Sequence, residues 1–391
     1  MLFRSGCVVL IKGGDVFLDG AFKTADILIS GERVSDVHIG TNSALCGDFE
    51  GSDEVLDATG CYVIPGLIDL HFHGVMGSDL SDATPEAIST IATYEASRGV
   101  TAICPATMTL GEDALLSIMK NAASFKATST QAELVGINME GPYISPSKVG
   151  AQNPAFVRHC DIEEFERLQD AAGGLIKLVD IAPEEPGALD FIRAMHDKVR
   201  ISIAHTATDY ACAVRAFELG ARHMTHLFNA MPGLHHRNSG PIPAAAERND
   251  ITPEIIADGV HIHPAMVRLA FEMFGDDRMI LISDSLRACG LGDGEYELGG
   301  QRFTVRGPRA TLADGTLAGS CSDLMACLRT AVRDMSIPLE SAVKAATINP
   351  ARVLGVDGER GSFAAGNVAD CAILDEELNL KHVVLRGSLL F

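Results

Sequence analysis

The sequence is short of positive charge. Its 391 residues carry 31 lysines and arginines against 52 aspartates and glutamates, a net charge of −21 at pH 7. Such a surface does not gather nucleic acid or an anionic membrane. An anionic substrate must then be met by a few local cations. The ten cysteines include no Cys-x-x-Cys pair and several sit in apolar stretches, so they read as free thiols of a reducing compartment. No run approaches the ~18 apolar residues of a transmembrane helix. Low-complexity tracts and short-period repeats are also missing. The opening stretch MLFRSGCVVLIKGGDVF lacks an apolar core of adequate length and a small-residue cleavage site, which sets the expectation of a cytoplasmic protein. Apolar content of 47% and charged content of 21% describe a folded chain with ample core. Its length suits one large catalytic domain with a smaller companion.

Two β-rich ends enclose a different middle. Residues 8–39 and 361–391 are strand-like, with Gly, Asp and Ser at the turns. They suggest one small β-sandwich assembled from both ends, residues 1–64 and 351–391. In between, short apolar runs begin at Gly66, Val100, Leu134, Leu175, Arg200, His223, Glu254 and Met279. Helical patterns fall between most of them, at 84–99, 161–174, 206–220 and 263–275. The first of these opens with Thr84 as N-cap and Pro85 at the first helical position, and closes on Gly99. The connection 232–253 is the weakest helix. Eight alternating units predict an α/β fold with a (β/α)8 TIM-like barrel over 65–350. Residues 290–318 read as an inserted β-hairpin, followed by closing helices at 321–335 and 338–347.

The stretch PGLIDLHFHG, residues 65–74, ends an apolar run with two histidines one residue apart. On a strand, residues i and i+2 share a side, so His71 and His73 face one space. Barrel enzymes place their chemistry at the C-terminal ends of the strands. Those ends supply His71 and His73, then Glu140, His205, His226, Asp258 with His261 just beyond, and Asp284. Core packing does not explain six strands of eight delivering His, Asp or Glu to one rim. Imidazole and carboxylate without thiolate suit a catalytic divalent metal with an open position. Zinc is the first choice, with iron, manganese or cobalt as alternatives. Water bound to such an ion becomes hydroxide near neutral pH. A nearby carboxylate must then take its proton and return it to the leaving group, and Asp284 is the candidate.

The His-x-His pair, the mid-barrel acid, the histidines of strands five and six and the aspartate of strand eight resemble the amidohydrolase superfamily. Most two-metal relatives use a carboxylated lysine on strand four, whereas MEGPYISPSKVGAQNP (139–154) supplies an acid on strand three here. That phrase is joined by HTAT (205–208), THLFNAM (225–231), LHHR (234–237), DGVH (258–261), LAGS (317–320) and ATINPAR (346–352). Together, from about residue 55 to the C-terminus, they are similar to the N-acetylglucosamine-6-phosphate deacetylase family. The resemblance implies that Glu140, His205 and His226 hold one metal, and that His71 and His73 hold a second with Glu140 bridging. It also implies Asp284 as general base and then acid. Asn229, the Ala230 amide and Arg237 would receive a 6-phosphate, since a forked guanidinium suits phosphate. His261 would orient the sugar or polarise the acetamide carbonyl. Ala151 and Gln152 would line the sugar site, and Leu317, Ala318 and Gly319 would close over it. The implied partner is a phosphorylated amino sugar, and the implied assembly a homodimer. Gln152 departs from the family, many members of which carry His there; glutamine can hydrogen-bond a hydroxyl but cannot titrate.

The other histidines have plainer readings. His263 precedes Pro264 at a helix start and reads as structural, while His159, His196 and His223 show no partner spacing. His235 reads as exposed or as backing the site. Lys177 sits too early on strand four to reach the rim. Asp323 reads as a helix cap, and Cys289 and Cys321 as packing. Alternative activities are deacetylation of a related amino-sugar phosphate such as N-acetylgalactosamine 6-phosphate, cyclic-amide hydrolysis, and a non-catalytic scaffold. The intact set of metal-ligand types counts against the last, and the strand-four pattern against the second.

Overall fold

The computed structural model describes residues 8–40 and 54–391; Cys7 and Cys46 lie outside them. Each of the eight apolar runs of the middle holds a strand, with a helix between successive strands. The strands are Leu67–Asp69, Val100–Ile103, the pair Glu133–Leu134 and Ile137–Met139, Ile176–Ile181, Arg200–Ile203, His223–Met224, Thr252–Ile256 and Ile280–Ile282. They pair in parallel, in chain order, as two arcs. One arc joins the first three elements and the other runs from Ile137–Met139 to the last strand. A parallel bridge between Ala106 and Asn138 links the arcs. At the far side the Asp284 amide donates to the His71 carbonyl at 3.0 Å, and Ser283 Oγ donates to Asp69 Oδ2 at 2.5 Å. The strands are buried along almost their whole length, as expected where helices cover a parallel sheet.

Local chemistry sets the helices. Thr84 caps Pro85–Ser97 through its hydroxyl, and the chain leaves at Arg98 with Gly99 at φ +80° one residue later. Asp161, Asp209 and Asp323 cap their helices through side-chain oxygens, and His263 caps Pro264–Phe274 through Nδ1. The weak sixth helix is the short Pro241–Ala246. After the last parallel strand the structure differs from the expected hairpin. Four antiparallel strands, Gly294–Leu298, Gln301–Arg306, Arg309–Thr311 and Leu317–Ser320, form a meander. Each break falls on glycine-bearing turns, at 299–300, 307–308 and 314–315, whose positive φ glycines favour tight reversals.

Both ends of the chain meet in one eight-stranded mixed sheet. Cys371–Leu374 runs antiparallel to Tyr62–Pro65, which pairs in parallel with Val8–Leu18. Its apolar side collects Val9, Ile11, Val16, Ile27, Ile29, Val63, Ile373 and Val384 into a separate buried cluster. Arg360 ties this region to the parallel strands. Its guanidinium pairs with buried Asp370 and with Glu133 of the third strand. Removing one partner of such a pair strands a charge in the interior, at a cost of about 3–5 kcal/mol. Arg360→Leu should therefore lower the melting temperature by several degrees, while Arg33→Leu, an exposed arginine nearby, changes it little. Equal melting curves for wild type and Arg360→Leu would show that the pair contributes nothing.

Candidate active site

Five of the chemistry-bearing side chains sit one or two residues beyond the ends of their strands: His71, Glu140, His205, His226 and Asp284. Together with His73 they are all buried, none more than 7% exposed. His205, His226 and Asp284 adopt left-handed backbone conformations, with φ of +42°, +30° and +48°. A non-glycine residue held there costs roughly 1–3 kcal/mol, and such residues concentrate at functional sites. Gly319, at φ +151°, lets the strand Leu317–Ser320 lie against this rim. A Cβ there would come within 2.8 Å of Leu286 and 3.0 Å of the Asp284 carbonyl.

Glu140 is the hub. Its Oε1 lies 2.9 Å from His205 Nε2, 3.1 Å from His226 Nε2 and 3.6 Å from His71 Nε2. Its Oε2 lies 3.1 Å from His73 Nε2 and accepts from Gln152 Nε2 at 2.6 Å. Asp284 Oδ1 stands 3.4 Å from His73 Nε2 and 3.9 Å from His71 Nε2. Two groups of three therefore share Glu140: with His71 and His73 on one side, with His205 and His226 on the other. Ligand atoms within 4.8 Å of one another in each group suit one divalent ion apiece. His205 Nδ1 donates to the Lys148 carbonyl at 2.9 Å, which leaves the Nε2 lone pair toward Glu140. His71 Nδ1 meets Glu254 Oε2 at 3.0 Å, and its Nε2 is buried without a hydrogen-bond partner.

Electrostatics point the same way. Burial would lower the pKa of His73, yet Asp284 and Glu140 outweigh it and raise the imidazole to about 10. Burial likewise opposes the charge on His71, but Glu254 and Glu140 push its pKa well above the usual value. Glu140 would be raised by burial, and His71, His205 and His226 hold it well below the ordinary carboxylate range. Glu254 is held down at about 2, against burial, by His71 and His223. A pocket that stabilises protons on imidazoles this strongly also favours a metal cation in place of those protons.

The hub opens into a cavity of about 370 Å³. Of the residues expected to bind substrate, Ala151, Gln152, Asn229, Ala230, His261, Leu317, Ala318 and Gly319 line it. Arg237 does not. Residues 233–238 run exposed, and Arg237 lines a neighbouring cavity with Tyr210 and Glu247. Among the described residues, Lys148 is the single lysine or arginine lining the main cavity. Gln152 has both ends of its amide engaged, since Oε1 accepts from the Thr109 amide at 2.7 Å and Nε2 from there serves Glu140. His261 Nδ1 is held by Asp258 Oδ2 at 2.7 Å, and Asp258 raises its pKa against the effect of burial. Lys177 lies at the opposite end of its strand, in a cavity with Arg200 and Arg222.

Three partners escaped the sequence. Glu254 and His223 are fully buried and joined at 2.9 Å, so His223 is no ordinary histidine. The only signal was a lone carboxylate within the apolar run PEIIAD. The Lys148 carbonyl left none, because main-chain groups look alike in every sequence.

The chain belongs to the amidohydrolase family, whose model matches residues 62–390. Members of that family are metal-dependent, in keeping with the His and Glu groups at the hub. Among its curated relatives is the N-acetylglucosamine-6-phosphate deacetylase of Bacillus subtilis, 38% identical over 345 residues that cover 87% of each chain. The N-acetylgalactosamine-6-phosphate deacetylase of Escherichia coli O157:H7 is 34% identical, over 83% of this chain and 86% of its own. The crystal structure of a mutant N-acetyl-D-glucosamine-6-phosphate deacetylase from Mycobacterium smegmatis, in complex with N-acetyl-D-glucosamine-6-phosphate, superposes with a TM-score of 0.90. It is 32% identical and covers 99% of this chain and 100% of that one.

Metal uptake at this hub must displace protons, because His71 and His73 hold theirs at neutral pH in the ion-free protein. Zinc affinity should therefore rise with pH from neutral toward the His73 value, and calorimetry in buffers of different ionisation heat should register proton release. Affinity independent of pH would contradict this electrostatic picture.

Proposed function

We propose that this protein hydrolyses the acetamide of N-acetylglucosamine 6-phosphate to glucosamine 6-phosphate and acetate. The observation that carries the reading is the position of Asp284, 3.4 Å from His73, beside a four-histidine carboxylate hub at the base of a cavity of sugar size. His71, His73, Glu140, His205 and His226 would hold one or two divalent ions, with zinc the first choice. Such an ion supplies Lewis acidity, lowering the pKa of water and polarising a carbonyl.

The chain's own groups do the rest. The Asp284 carboxylate accepts a proton from the attacking water as the new C–O bond forms. It then delivers that proton to the nitrogen as the C–N bond breaks, so the amine leaves neutral. His261, its Nδ1–H fixed on Asp258, presents Nε2 to the acetamide carbonyl or a sugar hydroxyl. Asn229 and the Ala230 amide offer donors for the phosphate. Lys148 supplies positive charge within the cavity, and Arg237 would have to reach in from its own. The strand Leu317–Gly319 covers the substrate and limits water.

The finer architecture belongs to the same reading: the two arcs as a closed (β/α)8 barrel, and the mixed sheet as a β-sandwich of residues 1–64 and 351–391. So does a cytoplasmic homodimer. The eight free cysteines among the described residues support a reducing compartment, and no described helix is long and apolar enough to cross a membrane. A second substrate, N-acetylgalactosamine 6-phosphate, is favoured by the Escherichia coli relative.

Acetate release from both phosphorylated sugars, beside unphosphorylated N-acetylglucosamine, tests the substrate. Turnover confined to the unphosphorylated sugar would overturn the phosphate reading. Asp284→Asn should retain its metal and fold while losing roughly 10²–10⁴-fold in kcat, the usual worth of a general base. Near-normal turnover would remove Asp284 from that role. Lys148→Met and Arg237→Ala should each raise KM for the phosphorylated sugar more than for the free one. An equal rise on both sugars would deny that residue a phosphate contact.

A further inference from the structure

Glu254 is a buried carboxylate directly behind the hub that the reaction does not use. Its Oε2 accepts from His71 Nδ1 at 3.0 Å and from the His226 amide at 3.1 Å. Its Oε1 faces His223 Nε2 at 2.9 Å, and His223 Nδ1 in turn meets Thr252 Oγ1 at 2.7 Å. Glu254, His223 and His71 are all 0% exposed, so none of these bonds competes with bulk solvent. Both carboxylate oxygens and both nitrogens of His223 are thereby committed. The arrangement fixes a chain that runs from the strand Thr252–Ile256 to the rim.

The four histidines of the hub are not backed alike. His205 leans on a neutral carbonyl of Lys148. The Nδ1 atoms of His73 and His226 are buried without a hydrogen-bond partner. Of these four, His71 alone donates Nδ1–H to a carboxylate. A carboxylate acceptor locks the proton on Nδ1, aims Nε2 and makes the imidazole a stronger donor to a metal. The rear of His71 is therefore built to strengthen one side of the hub only.

We propose that Glu254, buttressed by His223, is a positioning residue that sets metal occupancy on the His71–His73 side, separately from the Glu140–His205–His226 side. The inference rests on the metal reading above and deepens it. Its contact with the other side is confined to the His226 main chain, which any acceptor of the same shape satisfies.

Glu254→Gln isolates the charge. The amide oxygen can keep both bonds of Oε2, and its NH2 can face His223 once that ring moves its proton to Nδ1, since the Thr252 hydroxyl can accept as well as donate. The probe is zinc, or cobalt for its spectrum, returned to chelator-stripped protein in competition with a chromophoric chelator. Wild type should take up two equivalents per chain. In Glu254→Gln the second equivalent should bind about 10–100-fold more weakly, with the first unchanged and the ion-free melting temperature preserved. Glu254→Asp, which keeps the charge at a greater distance, should fall between the two. Wild-type affinity for both equivalents in Glu254→Gln overturns the proposal. So does an equal loss of both equivalents with a lower melting temperature, which marks a purely structural residue. A wild-type protein that binds a single ion removes the two-ion reading, and this inference with it, before any variant is compared.

Discussion

A carboxylate buried at the centre of four imidazoles is the constraint from which the rest of this structure follows. An ionised glutamate in the interior carries a desolvation cost of several kcal/mol, so Glu140 is stable there only if positive charge converges on it. The side chains that carry or coordinate that charge lie far apart in sequence, at 71, 73, 205 and 226, and no local element can bring them together. Parallel strands laid side by side in chain order can, because their C-terminal ends meet at one rim. The fold is thus the means by which distant imidazoles reach one carboxylate.

The same constraint explains why the neighbourhood is polar at depths where a core is usually apolar. Each imidazole must be oriented, and the orienting group must itself be satisfied. Hence His205 is held by Lys148, His71 by Glu254 and Glu254 by His223. Gln152 pins Glu140 to the Thr109 backbone while lining the same cavity. The left-handed backbones at His205, His226 and Asp284 add strain, and strain of that size persists only where surrounding packing over-determines it. The fully buried flanking strands provide that packing.

The eight parallel strands and most of the hub were legible in the sequence for one reason. Strand-end residues inherit their direction from a period of two, and a run of apolar residues marks where the strand stops. His71, His73, Glu140, His205, His226 and Asp284 all obey this rule. Glu254 does not, because it lies inside its strand and its partner is 183 residues away, so its meaning depends on register across neighbouring strands. His223 fails for the same reason. Arg237 is hard to place from sequence for another reason: it lies in the irregular segment around residues 233–238, whose path no periodicity encodes. The meander after the last strand lay between, since its turn glycines are plain in the sequence while the number of strands they separate is not.

A chain of net −21 attracts divalent cations and repels anions, so its overall field would help a metal ion and hinder the phosphorylated sugar proposed as substrate. At physiological ionic strength that field fades within about 8 Å, and what remains at the cavity is local. There Lys148, Asn229 and Ala230 line a cavity at whose base Glu140 and Asp284 stand. In the proposed reading, bound metal would balance those carboxylates at depth and leave Lys148 to act on the phosphate. Separation of the two charge tasks by depth would let an acidic protein bind an anion without weakening its hold on cations beneath it.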